Sequence, residues 1–238
     1  MIRLVHQDGL ARGARTRLYP CEHRPNLDVR LMGAMSSFEK FLVNRASERN
    51  ADELLRMIGE GASSMTSGMN MLELGAGKGA FSYSLYQSYA PTRLVVTDYD
   101  PSQVSLAESR FREKLGSIPE NVEIREVDAM SLPFVDESFD AVFASRVLHH
   151  VERRRWHFRN IPKALDEIHR VLKSDGLFVY EEIFNKPRIQ AYLVTLGFDR
   201  VFEKRDWLGN RFYIFRKSRP PAGCSAGVAQ FTGQPLVD

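Results

Sequence analysis

The sequence predicts an α/β fold: a doubly wound, mostly parallel sheet with helices on both faces. Three observations lead there. Apolar or β-branched runs near residues 70–75, 93–98, 122–127, 138–144 and 176–182 alternate with helical patterns, and parallel strands need helix-length crossovers of this kind. The first run, Met71-Leu72-Glu73-Leu74, leads directly into Gly75, Gly77 and Gly79. Glycines are required where a backbone turns tightly and a ligand comes close, since a Cβ would fill that space. The helix that starts near Lys78 turns its unpaired N–H groups and positive dipole end toward the same crevice. The second run, Leu94-Val95-Val96-Thr97-Asp98, ends in an acid roughly 20 residues after the glycines, where a ribose-binding carboxylate belongs in a doubly wound sheet.

The loop and the acid define a nucleotide-type site without choosing the nucleotide. Gly75, Gly77 and Ala80 satisfy the dinucleotide spacing, Glu73, Gly75, Gly77 and Gly79 spell E-x-G-x-G-x-G, and Asp98 suits NAD and other adenosine cofactors alike. Further along, residues 122–129 alternate apolar and polar and place Asp128 at a strand end. Leu132-Pro133-Phe134, Ser138-Phe139-Asp140 and Leu148-His149-His150 follow. Val171-Leu172-Lys173-Ser174-Asp175-Gly176 then supplies the end of a helix, a turn and the start of another strand.

Taken together and in this order, these pieces resemble the class I S-adenosylmethionine-dependent methyltransferases of the small-molecule type, over residues 70–182. One departure is visible: the family's Lys-Pro-Gly-Gly turn is Lys173-Ser174-Asp175-Gly176 here, with the last glycine kept. The resemblance implies a Rossmann-like, seven-stranded sheet whose final two strands are residues 198–204 and 211–216, the last antiparallel to the rest. It also implies S-adenosyl-L-methionine as the cofactor. Glu73 would then accept from the ammonium of the methionine part, and the backbone of Gly75, Ala76, Gly77 and Gly79 would line that portion. Asp98 would take both ribose hydroxyls, a carboxylate having two acceptor oxygens. Tyr99 would pack against the adenine, Asp128 would accept from the adenine amino group, and the Ala129 N–H would donate to a ring nitrogen.

Because a sulfonium already activates the methyl group, alignment and water exclusion supply most of the acceleration, and a base matters only where the acceptor must lose a proton. His149 and His150, at the carboxyl end of the fourth strand, are the candidates; His150 is the position more regularly occupied by histidine in the resembling family. Ser145 and Arg146 are candidate contacts to cofactor or acceptor. Glu181 and Glu182 end the fifth strand, one of them expected to face solvent.

Bulk properties remove other classes. The 238 residues allow one α/β domain with a real core, and a hydrophobic content of 43% with 26% charged residues is ordinary for a soluble globular chain. A formal charge of +3 is small for a nucleic-acid surface. Cys21 and Cys224 are too few for a thiolate metal site, and no compact carboxylate cluster suggests a metal. No apolar run reaches the roughly 20 residues that cross a bilayer, and the start has no signal-peptide block, so a cytoplasmic location is expected. The run Arg153-Arg154-Arg155-Trp156-His157-Phe158-Arg159 mixes cations and aromatics as nucleic-acid binders do, but reads better as a solvated loop whose Trp156 and Phe158 anchor the next helix. The Asn/Asp-Pro-Pro-Tyr motif of nucleic-acid amine methylation is absent after the fourth strand, where Ala144-Ser145-Arg146-Val147 stands. The expected partner is thus a small-molecule acceptor, not nucleic acid or membrane, with the oligomeric state open.

In domain terms, residues 1–60 are read as an N-terminal segment with lid helices at 36–49 and 51–59, Tyr19, Phe38 and Phe41 lining the acceptor pocket. Residues 61–217 are read as the methyltransferase domain, and 218–238 as a disordered tail. The rival readings are an RNA or protein methyltransferase, a non-catalytic S-adenosylmethionine-binding module, and a nicotinamide dehydrogenase.

Overall fold

The structure is a computed structural model and describes residues 50–152, 157–182, 184–205 and 211–219. The helix expected at 36–49, the lining residues Tyr19, Phe38 and Phe41, residues 153–156, the hairpin turn at 206–210 and the tail beyond 219 lie outside the described residues. Seven strands are present: β1 (Asn70–Leu74), β2 (Arg93–Asp98), β3 (Val122–Glu126), β4 (Phe139–Ser145), β5 (Leu172–Glu182), β6 (Phe198–Arg205) and β7 (Arg211–Lys217). They form one sheet in the order β3-β2-β1-β4-β5-β7-β6. β1 pairs in parallel with both β2 and β4, and β7 runs antiparallel to its neighbours β5 and β6. The mostly parallel sheet with a reversed last strand is as expected.

Period-two alternation sends successive residues of each strand into two separate cores. Leu72, Val95, Val142, Phe178, Tyr180, Tyr213 and Phe215 belong to one cluster, with helix α4 (Ile161–Val171) and helix α5 (Lys186–Thr195) over it. Met71, Leu94, Val96, Phe143, Val179, Phe212 and Ile214 belong to the other, which helix α1 (residues 50–61), α2 (Ala80–Tyr89) and α3 (Pro101–Leu115) cover. Helix α4 shows why it lies flat on the sheet: Ile161, Ala164, Leu165, Ile168 and Val171 form one buried stripe at helical spacing. Its start is set by Glu152, whose Oε1 accepts the N–H groups of Arg159, Asn160 and Ile161 at 2.5, 2.6 and 3.1 Å. Such a carboxylate meets both the orphan donors and the positive end of the helix.

Two details differ from the sequence expectation or extend it. There is no separate turn between α4 and β5. The chain passes at Leu172 straight into strand, and Leu172 already pairs with Phe139. The reversal is absorbed inside the ladder: the register shifts between Phe139 and Ala141, Asp175 takes φ 65°, and Lys173 Nζ lies 2.7 Å from Asp140 Oδ1. A Cβ on Gly176 would lie 2.8 Å from the Lys173 carbonyl oxygen, which accounts for the glycine kept there. Helix α1, expected at 51–59, buries Ala51, Leu54, Met57 and Ile58 in the same core as Met71 and Phe212. Truncating Ile58, fully buried, to alanine should cost about 2–5 kcal/mol in urea unfolding; a cost under about 0.5 kcal/mol would mean α1 contributes nothing to the body.

Candidate active site

Because β1 to β5 are parallel, their carboxyl ends meet at one edge of the sheet: Leu74, Asp98, Glu126, Ser145 and Glu182. From β1 the chain builds outward through β2 and β3, then returns to start β4 on the other side of β1. The crossover helices therefore part at the β1–β4 boundary and leave a crevice above it. Gly75, Gly77 and Gly79 line it with φ values of 65°, 54° and 70°, backbone that side-chain-bearing residues rarely adopt. A Cβ on Gly75 would lie 2.3 Å from Val147 Cγ2, just after β4. The glycine therefore lets the loop after β1 close against the loop after β4.

The loop is held from several directions. Ala76 N–H donates to the Thr97 carbonyl at 2.8 Å and Gly79 N–H to the Ala76 carbonyl at 3.0 Å. Gly77 N–H donates to Asp98 Oδ2 at 2.9 Å. Two residues of α3 support the loop without any motif to announce them. Buried Arg110 donates from Nε to the Lys78 carbonyl at 2.9 Å, and Gln103 places Oε1 3.9 Å from where a Gly77 Cβ would be. Only the crossover that folds α3 back beside the loop assigns these residues a role. Helix α3 is itself fixed by Asp100, whose side chain accepts the Ser102 N–H at 2.9 Å ahead of Pro101.

The expected acids gather at this edge. Asp98 Oδ1 accepts the Asp100 N–H at 2.9 Å, so one lone pair of each Asp98 oxygen is engaged by backbone. Val127 N–H donates to the Asp98 carbonyl at 3.0 Å, tying the ends of β2 and β3. Asp128 follows, its Oδ1 accepting the Met130 N–H at 2.9 Å. Ala129 is buried and Tyr99 exposed. Glu73 is 3% exposed and its Oε2 accepts a hydrogen bond from Ser82 Oγ on α2. Burial pushes its carboxyl up to about 7; the charge of Asp98 acts in the same direction and the Ser82 hydrogen bond opposes it.

Past β4 the chain makes two separate carboxylate contacts. Ser145 Oγ donates to Glu181 Oε2 at 2.8 Å. Arg146, at φ 57°, donates its N–H to the Glu181 carbonyl at 2.8 Å and keeps Nε 3.5 Å from Oε2. His149 Nδ1 lies 2.7 Å from Glu182 Oε1. The expectation that one of the two glutamates faces solvent is corrected: Glu181 is 2% exposed and Glu182 is fully buried. Alternation sends them to opposite faces, and each finds its own donors in the loop after β4. The two histidines also part company, His149 buried and His150 exposed, with ring centroids 4.1 Å apart. The basic run contributes its anchor: Phe158 packs on the core, with Tyr192 edge-on at 6.3 Å and the Arg188 guanidinium 4.6 Å over its ring. Among the described residues no group of three or more His, Cys, Asp or Glu could hold a metal ion, and no helix is long and apolar enough to cross a membrane.

Residues 72–180 match the family model described as a methyltransferase domain. The demethylmenaquinone methyltransferase of Clavibacter sepedonicus is 34% identical over 148 residues, 62% of this chain and 54% of that protein. The chain spans about half the length of the first curated relatives it matches. Among solved structures, the cyclase SpnF aligns with a TM-score of 0.60 at 19% identity, over 72% of this chain and 80% of that one. An S-adenosylmethionine-dependent methyltransferase from Aquifex aeolicus aligns with a TM-score of 0.57 at 17% identity, over 70% and 89%. These two likenesses establish the fold. Residues 72–180, just under half of the chain, thus match a methyltransferase domain, and the fold is shared with a structure described as an S-adenosylmethionine-dependent methyltransferase.

Two measurements follow from this geometry. Gly75→Ala places a Cβ against Val147 at positive φ, and should weaken S-adenosylhomocysteine binding in calorimetry at least tenfold. Gly116→Ala, also at positive φ but with open space around it, should lose about 1 kcal/mol of stability and keep its affinity. Glu73, with a carboxyl at about 7 in the fold against about 4.3 unfolded, keeps a proton between those values that the unfolded chain has lost. Stability should therefore fall as pH rises through that window, by roughly 4 kcal/mol in all. Urea unfolding between pH 5 and 8 should show this slope flattened in Glu73→Gln; an equal slope in both proteins would contradict the assignment.

Proposed function

We propose that this chain transfers the methyl group of S-adenosylmethionine to an oxygen, nitrogen or carbon atom of a small organic acceptor. The observation that supports this best is the bond between Gly77 N–H and Asp98 Oδ2 at 2.9 Å. It makes the glycine cradle and the ribose-type carboxylate one pre-organised unit at the β1–β4 crevice.

In this reading Glu73 holds the ammonium of the methionine portion, which draws the proton from its raised carboxyl, while the backbone of Gly75, Ala76, Gly77 and Gly79 lines that portion. Asp98 takes the ribose hydroxyls with its remaining lone pairs, Tyr99 covers the adenine, and Asp128 and the Ala129 N–H meet the adenine edge. The cofactor supplies, when bound, a methyl carbon already activated by its sulfonium. Ser145 lies at the mouth of β4 beside the cradle, and His149 and His150 are the groups there able to take a proton from an acceptor. Orientation and exclusion of water do the rest. Relatives named as demethylmenaquinone methyltransferase and as ubiquinone/menaquinone biosynthesis C-methyltransferase favour a small organic acceptor. A second reading, binding of the cofactor without methyl transfer, draws on the likeness to a protein described as a cyclase, since one fold hosts several chemistries.

The experiment that decides is a metabolite extract incubated with purified protein and methyl-labelled S-adenosylmethionine. Label should enter a small molecule. Asp98→Ala, which removes charged acceptors, should weaken S-adenosylhomocysteine binding about 100-fold and abolish labelling at low cofactor. Tight binding with no labelled product would favour the second reading, and label in RNA or protein would replace the acceptor class.

A further inference from the structure

We propose that Glu182 is the positioning residue of a general-base dyad with His149, and that the acceptor is accordingly one that must give up a proton on methylation: a hydroxyl or an enolisable carbon acid. This rests on the methyl-transfer reading above. Glu182 ends β5 and is completely buried, and a buried carboxylate is costly unless donors meet its oxygens. Three contacts do so. The His149 backbone N–H donates to Oε2 at 3.2 Å, the Phe184 N–H donates to Oε1 at 3.3 Å, and the His149 ring Nδ1 stands 2.7 Å from Oε1.

Both oxygens thus act as acceptors, so Nδ1 carries the ring hydrogen and the basic lone pair is on Nε2. Clamping the backbone and the ring of the same histidine does more than anchor a loop; it sets tautomer and orientation together. The ring is further confined by His150, 4.1 Å away, and by Phe184 at 5.4 Å. His149 is 7% exposed. Its Nε2 has no partner among the described residues, and Tyr180 Oη is the sealed side-chain atom among them without one. The basic nitrogen is therefore not sealed from solvent. Two residues earlier, Val147 touches Gly75 of the cofactor cradle, so the dyad sits beside the methionine half of the site. Among the described residues, the titratable groups facing the His149 ring are Glu182 from β5 and His150 from its own turn. Glu181, with Ser145 and Arg146, occupies the opposite face of β5.

The step balances as follows in atoms and electrons. The acceptor atom's electron pair forms the bond to the methyl carbon, the carbon–sulfur bond breaks with its pair left on sulfur, and the acceptor's proton passes to His149 Nε2. The imidazolium, stabilised by the Glu182 carboxylate, then returns that proton to solvent. A base at this place accelerates transfer only to an acceptor that has a proton to lose, which excludes tertiary amines and thioethers as the natural substrate.

Nitrogen-15 NMR of histidine in the full chain saturated with S-adenosylhomocysteine gives the first readout. His149 should appear as the Nδ1–H tautomer. In Glu182→Gln the new amide donates to Nδ1 and should move the ring toward Nε2–H, while S-adenosylhomocysteine affinity changes less than about twofold. The second readout uses the metabolite extract as acceptor source. Glu182→Gln should lower kcat about 100-fold with the KM for S-adenosylmethionine within about threefold, and Glu182→Asp should recover part of the loss. A wild-type ring in the Nε2–H form, or a Glu182→Gln variant with undiminished kcat, overturns the proposal. If Glu182→Gln does not fold, the wild-type tautomer and the Glu182→Asp kinetics carry the test. Absence of any labelled product in the wild type is a failure of the methyl-transfer reading, recognisable because the tautomer experiment does not depend on turnover.

Discussion

A backbone N–H of the glycine loop and the carboxylate that ends β2 hold each other at 2.9 Å, and much of the surrounding structure serves to keep them in place. Gly77 reaches Asp98 because β1 and β2 are in-register parallel neighbours, Leu74 opposite Thr97. The loop turns sharply because three of its residues occupy positive φ. Arg110 and Gln103 bear on the loop from α3, and Asp100 sets where α3 begins. On the far side the loop is seated against Val147 without a side chain at residue 75. A ligand therefore meets a crevice already assembled, so little binding energy is spent on ordering it.

The crevice is also where the chain buries charge. Glu73, Glu181 and Glu182 are almost completely withdrawn from solvent, an arrangement that disfavours folding unless donors compensate. Their compensation differs. Glu73 has a hydroxyl partner and a carboxyl pushed up to about 7. Glu181 has a hydroxyl and a guanidinium, and Glu182 an imidazole and two backbone N–H groups. Glu73 thus differs from the other two, whose donors come from the segment around the end of β4 and from Phe184. Perturbed and buried acids of this kind collect at functional sites.

Much of the architecture was legible in the residues. The strand runs, the glycine loop and the acids at 98 and 128 stand where the sequence placed them, because period-two patterns and turn chemistry are local. The turn at 173–176 was read as separate from the strand: its residues have turn propensity, but pairing of Leu172 with Phe139 and the ion pair to Asp140 draw them into the ladder. Arg110 and Gln103 carried no signal, since a long polar side chain in a helix looks like any solvated one until the crossover brings it back over the loop.

The sequence alone determined which residues end each strand, and so the set of groups available at the crevice; alternation and glycine spacing are properties of the chain itself. Tertiary structure decided how that set is used. Neighbouring Glu181 and Glu182 look interchangeable in the sequence, yet the sheet sends them to opposite faces and pairs one with Ser145 and Arg146, the other with His149. His149 and His150 are likewise equal in sequence and unequal in burial. The reason is physical: hydrogen-bond partners and desolvation depend on elements tens of residues away, and only the closed sheet brings those elements into contact.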